Sequence, residues 1–262
     1  RASMTLTREL KRRGVNVIAR TAVDRVDTGA NLGATVHYRQ GDSDEDRTAY
    51  GEVVLAAIGR VPNTDADWFR SSGLKLDERG YVTVDGYGRT NLDGVWALGD
   101  ITPGHALAHR AFEQGITIAE KIAGADPKPV LDDTVPQVVF SFPEAASVGL
   151  TLDQAKARED VVEPKETAYP MLSNARMLMS GEGGSMTVVS GAFANNPDMQ
   201  VVLGVHIVSP IASDLIAEAE QLVGNRVPLA DAARLIHPHP TFSEKLNTCH
   251  LNMTPSTTNT II

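Results

Sequence analysis

The sequence predicts an α+β protein built on antiparallel sheets, and three observations carry that expectation. Residues 22–26, 34–38 and 48–50 are short strand-like runs divided by turn-forming stretches, the pattern of a small antiparallel meander. Residues 131–262 run in the order strand, helix, three strands, two helices, a Pro-rich loop and a last helix, which fits helices on one face of an antiparallel sheet. Between these regions, residues 53–58 form an uninterrupted apolar run, as expected of a strand buried on both faces. A chain of 262 residues is long enough for more than one packed unit.

The elements follow in order. Residues 6–13 read as a helix with Gly14 as its C-terminal stop, and 15–18 as a strand. Arg1-Ala2-Ser3 carries no initiator methionine and leads straight into that helix, as if the chain began in mid-fold. Gly41 to Asp46 is an acidic hairpin tip. The apolar run ends in Gly59-Arg60-Val61-Pro62-Asn63. Residues 80–85 read as a strand, 89–94 as a turn, and 95–100 as a second strand ending in Gly99-Asp100. A helix is expected from about 105 to 123, with His109 a packing or helix-start residue. Asp126-Pro127-Lys128-Pro129 is a linker. Beyond it come a strand from 135, a helix at 152–158 capped by Thr151, strands at 185–190 and 199–208, and helices from 209 and at 229–235. A sheet with helices on one face buries the other against a partner, here a second copy of the chain.

Composition narrows the function. The net charge of -9 argues against nucleic acid or an anionic membrane as the main partner. No apolar run is long enough to span a bilayer, and no signal peptide opens the sequence. A single cysteine, Cys249, leaves no intramolecular disulfide and no thiolate metal cluster, and suits a reducing cytoplasm. It is expected as a small, at least half-buried side chain on the last helix.

The chemistry concentrates in His237-Pro238-His239-Pro240-Thr241-Phe242-Ser243-Glu244. A turn into a helix, capped by Thr241 or Ser243, would bring Glu244 back onto His239, with the carboxylate in the favourable first turn. A carboxylate bonded to one imidazole nitrogen fixes the tautomer and raises the basicity of the other, the anatomy of a general base near neutral pH. The competing reading is a Pro-rich loop whose histidines satisfy backbone groups. His237, His239, Cys249 and His250 fit no common zinc spacing, and prolines restrict both loop histidines, so no metal is expected. Asp100 could accept a hydrogen bond from a sugar-alcohol hydroxyl or cap the following helix. The N-terminus of that helix would aim backbone N–H groups at an electron-rich ligand.

Four blocks in order resemble one family. They are Ala-x-Gly-Arg-x-Pro-Asn-Thr at 57–64, Thr-Asn-x-x-Gly-Val-Trp-Ala-x-Gly-Asp at 90–100, Leu-Ala-His-x-Ala-x-x-x-Gly at 107–115, and His-x-His-Pro-Thr-x-Ser-Glu at 237–244. Together they are similar to the FAD-dependent pyridine nucleotide-disulfide oxidoreductases, and within them to the dihydrolipoamide dehydrogenase branch. The resemblance implies that residues 1–60 are the tail of an NAD-binding α/β domain, 61–130 a central FAD-contacting segment, and 131–262 an interface domain that forms a homodimer. It implies that Asp100 binds the ribityl chain of FAD, that Leu107 and Ala108 lie against the flavin, and that Gly59 lies beside the nicotinamide of NAD. His239 would be the acid-base catalyst, held by Glu244 and serving the disulfide of the other subunit. The substrate would be dihydrolipoamide, presented on the lipoyl domain of a 2-oxoacid dehydrogenase complex.

The sequence departs from the family in two places. No Gly-x-Gly-x-x-Gly turn and no Cys-x-x-x-x-Cys pair occurs in it. By itself it could not complete the catalytic cycle, so a C-terminal piece of a longer enzyme is expected. The alternatives are a non-catalytic dimerisation module and a flavin-dependent NAD(P)H quinone or disulfide reductase of the same superfamily.

Overall fold

The structure is a computed structural model that describes residues 1–29 and 33–246. The expected last helix beyond residue 246, with Cys249 and His250, lies outside the described residues. The chain divides into two units: Leu10–Val61, and Arg1–Glu9 together with the chain from Pro62 onward. Helix α1 (Ala2–Arg12) spans the first boundary and ends before Gly14, whose φ of +82° is the left-handed conformation a C-terminal stop requires.

In the Leu10–Val61 unit, β1 (Thr21–Thr28), β2 (Ala34–Gln40) and β3 (Arg47–Gly51) form the expected antiparallel meander in the order β1-β2-β3. Val26 pairs with Val36 and Val36 with Ala49. The expected strands at 15–18 and 53–58 do not form. Val53, Leu55, Ile58 and Val61 are 86%, 87%, 97% and 87% exposed. An apolar run becomes a strand only when neighbours pair with its backbone, and none of the described strands does so here.

In the second unit, α2 (Asp67–Ser71) and α3 (Ala108–Ile122) flank an irregular stretch. The strands expected at 80–85 and 95–100 shrink to single bridges, Leu76 to Val82 and Arg89 to Trp96. Side chains take the backbone donors instead. Asp77 Oδ1 accepts from the Arg79 and Tyr81 N–H groups, and Asp85 Oδ1 from those of Tyr87 and Arg89. Such Asx turns compete with ladder pairing.

The remainder is one five-stranded antiparallel sheet in the order β4-β5-β8-β7-β6. It is built from β4 (Gln137–Val139), β5 (Glu144–Gly149), β6 (Val161–Pro170), β7 (Ser185–Phe193) and β8 (Asn196–Ser209). Helix α4 (Leu152–Ala157) lies between β5 and β6 and starts with a complete capping box of Thr151 and Gln154, so Thr151 caps as expected. Helix α5 (Ala175–Ser180) lies between β6 and β7, with Asn174 as its side-chain cap. Helices α6 (Ala212–Gly224) and α7 (Leu229–Ala232) follow β8.

Alternation along the strands decides the packing. Ala146, Val148, Met186, Val188, Val205 and Ile207 turn to one face, where they bury against Leu215, Ile216, Ala219 and Leu222 of α6. Leu150, Val189, Val201 and Leu203 pack with Ala155 of α4 in a second cluster. Gly204 pairs with Gly149, and a side chain at Gly204 would collide with the Leu150 backbone. The main core receives one more residue, Leu246, fully buried at the end of the Pro-rich loop. That contact anchors the candidate site to the sheet.

Candidate active site around His239

The loop leaves α7 and runs through His237-Pro238-His239-Pro240 before residues 244–246 turn helical. Pro238 and Pro240 each fix φ near -65°, so the two histidines ride on a stiff segment. Glu244 reaches back along it. Its Oε2 accepts from the Thr241 N–H at 3.0 Å, the reverse half of a capping box, and its Oε1 lies 2.6 Å from His239 Nδ1. Thr241 Oγ1 donates to the Pro238 carbonyl at 2.7 Å and meets Ser243 Oγ at 3.0 Å, closing the turn.

The electrostatics fix the roles of the two imidazole nitrogens. Burial pushes the Glu244 carboxyl up, but the hydrogen bonds from His239 and from the Thr241 N–H together outweigh it and hold the group below its ordinary value of 4.5. An ionised carboxylate only accepts, so His239 Nδ1 carries a proton, and in the neutral imidazole Nε2 presents its lone pair. The His239 side chain is 74% exposed and Glu244 24%. The arrangement is a half-buried carboxylate orienting an accessible base.

Three residues that local pattern does not reveal brace the loop from the side of α5. Asn174, 3% exposed, donates from Nδ2 to the Thr241 carbonyl at 2.8 Å while its Oδ1 accepts from Met177 N. Lys245 Nζ donates to Ser173 Oγ at 2.8 Å, and the Arg176 guanidinium sits 5.8 Å from the Phe242 ring centroid. An Asn before a helix signals a cap. Its second bond spans 67 residues, a separation beyond any sequence periodicity.

Asp100, Leu107 and Ala108 gather where the 3-10 turn Gly99–Ile101 meets α3. Asp100 lies in that turn and not at a strand end, and it caps no helix: the N-cap position of α3 is Leu107, without a side-chain cap. The first-turn N–H groups of α3 therefore lack the side-chain acceptor that a Ser or Asp cap would bring. Asp100 and Ala108 are exposed, and Leu107 is half-buried. Gly99, with φ of +72°, packs against Ala111, and its N–H donates to Gln114 Oε1 at 2.8 Å. An exposed acid beside an uncapped helix start with a small first residue fits a flavin-bearing dinucleotide: a carboxylate for hydroxyls, N–H groups for the ring and room for close approach. His109 at the helix start bonds the Pro136 carbonyl through Nε2 at 2.7 Å, a packing role. Arg110, which no local motif singles out, is 6% exposed and ties α3 to Asp132 at 2.7 Å and to the Pro103 carbonyl at 2.6 Å. No described hydrogen bond joins this group to the His239 loop. Gly59 belongs to the Leu10–Val61 unit, where its φ of +103° and open surroundings suit close approach by a ligand. Among the described residues no group of His, Cys, Asp and Glu side chains is placed to hold a metal ion.

Two family models match the chain. The model of the pyridine nucleotide-disulphide oxidoreductases matches residues 1–115, and that of their dimerisation domain matches residues 135–250. The chain belongs to the pyridine nucleotide-disulphide oxidoreductase family. Among its curated relatives are dihydrolipoyl dehydrogenases: one of Cupriavidus necator is 38% identical over 239 residues, covering 90% of this chain and 48% of that protein. One of Geobacillus stearothermophilus is 37% identical over 245 residues, covering 91% and 49%. The chain thus spans about half the length of the curated relatives it matches. In structure it superposes on LpdA of Mycobacterium tuberculosis with a TM-score of 0.82 at 29% identity, over 97% of this chain and 53% of that one. The flavoprotein disulfide reductase RclA of Escherichia coli shares the fold, with a TM-score of 0.80 at 22% identity.

Proposed function

We propose that the chain is the C-terminal part of a flavin-dependent dihydrolipoyl dehydrogenase, which oxidises dihydrolipoamide with NAD+ to give lipoamide, NADH and a proton. One observation carries the reading: His239 presents an accessible Nε2 lone pair while a carboxylate holds Nδ1. Nε2 would take a thiol proton from dihydrolipoamide, and the resulting thiolate would attack a redox disulfide. The proton then sits on an imidazolium stabilised by Glu244. Lone Cys249 cannot form that disulfide, so on this reading the cysteine pair is supplied from outside these 262 residues. Asp100, Leu107 and Ala108 are the residues here that would hold FAD, and Gly59 would lie beside NAD. When bound, FAD supplies the two-electron relay between the reduced cysteine pair and NAD+.

The protein is a homodimer on this reading, joined through the dimerisation domain. Leu172, Leu178 and Met179 are 63%, 65% and 68% exposed on and beside α5, the helix that braces the His239 loop. An apolar surface flanking an exposed catalytic base is what a site completed by a second subunit requires. The substrate is carried on the lipoyl domain of a 2-oxoacid dehydrogenase complex, and the single cysteine suits the reducing cytoplasm.

The test uses the full-length gene product mixed anaerobically with dihydrolipoamide and NAD+, following NADH. Turnover is expected, and His239→Gln should lower it by about 10²–10⁴-fold. Absence of turnover, with NAD(P)H still reducing a quinone, would replace the reading with a reductase in which His239 is structural.

A further inference from the structure

The loop contains a second histidine–carboxylate pair. His237 Nε2 lies 2.7 Å from Glu218 Oε1 on α6, and its Nδ1 lies 3.2 Å from the Leu235 carbonyl. The two pairs have opposite character. The His237 side chain is 7% exposed against 74% for His239. A base needs an accessible nitrogen, and His237 has none to offer: both ring nitrogens face acceptors within the protein.

We infer that His237 and Glu218 form a positioning pair that fixes the place of His239 through Pro238. Helix α6 is anchored in the core by Leu215, Ile216, Ala219 and Leu222, so Glu218 is a fixed point on a rigid element. One proline separates His237 from His239, and its locked φ passes the clamp on with little slack. Downstream, Asn174 holds the Thr241 carbonyl and Leu246 is buried in the core. The segment between these anchors is too short and stiff to wander, and reactive groups displaced by about 1 Å can lose on the order of 10²-fold in rate. The inference rests on the proposed dihydrolipoyl dehydrogenase reading, because it assigns a role in that reaction.

The experiment compares full-length wild type with Glu218→Ala, Glu218→Gln and His237→Gln. It measures kcat and KM for dihydrolipoamide with NAD+, flavin absorbance, and labelling of each histidine by diethyl pyrocarbonate with mass spectrometry. In wild type, His239 should label and His237 should be protected. Glu218→Ala should expose His237 to label and lower kcat about 10–100-fold, with KM and flavin content little changed. Glu218→Gln keeps an acceptor for the imidazole N–H and should recover most of the rate, which rescue a variant that merely failed to fold would not show. If Glu218→Ala unmasks His237 yet keeps kcat within about twofold of wild type, the positioning role is overturned and the proposed function stands. If wild type itself yields no NADH, the proposed function fails and takes this role with it.

Discussion

At the scale of single residues, environment assigns work more sharply than residue type does. Two histidines two positions apart, each with a carboxylate, differ in access to solvent, and on the proposed reading that difference separates a base from a clamp. A third histidine shows the same logic in the sheet. His206 on β8 is half-buried and bonds the Leu150 carbonyl through Nε2 at 3.3 Å. Burial pulls its pKa below the ordinary 6.5, and the carbonyl bond and Glu166 only partly oppose this. A base whose folded pKa is depressed binds fewer protons folded than unfolded just below pH 6.5. Its contribution to stability is therefore complete above that pH and falls away as pH drops toward the folded value. Denaturation midpoints should decline below pH 6.5 in wild type, and His206→Gln should flatten that decline. Glu244 acts in a lower window: its contribution is present above pH 4.5 and is lost as pH falls through its depressed folded value.

At the scale of elements, local chemistry was legible and long-range pairing was not. The capping box of Thr151 and Gln154, the stop at Gly14 and the return of Glu244 to His239 involve residues within five positions of each other, and each could be read from the sequence. Asp77 and Asp85 mislead a strand assignment because their side chains satisfy backbone donors that β-rich flanking residues would otherwise offer to a ladder. The contacts from α5 and α6 are not legible locally, since nothing in residues 173–177 or at Glu218 signals a partner in the loop. Asn174 gives the element-scale prediction. It both caps α5 and bonds the loop, so Asn174→Ala should cost about 1–3 kcal/mol in chemical denaturation, leaving a buried donor and carbonyl unserved. A smaller loss than an ordinary surface substitution produces would show that the loop holds its place without α5.

At the scale of the molecule, the antiparallel sheet supports the site and the apolar ground around it calls for a second subunit. Leu178→Glu with Met179→Glu places two charges on the exposed side of α5 without touching Asn174. On the proposed reading each site draws on both chains, so in the full-length protein this pair should shift sedimentation from dimer toward monomer and lower dihydrolipoamide turnover together. Dimers that persist at full activity would move the subunit contact away from α5. The Leu10–Val61 unit carries a different consequence. Its segment from Val53 to Val61 is rich in β-formers, holds one charge, at Arg60, and leaves its backbone donors and acceptors unpaired by any described strand. Such a strip is a template for other copies of itself. A polypeptide with that strip exposed would be drawn toward cross-β aggregation through it, and charged substitutions such as Val53→Lys and Leu55→Lys should lower the light scattering of its concentrated solutions.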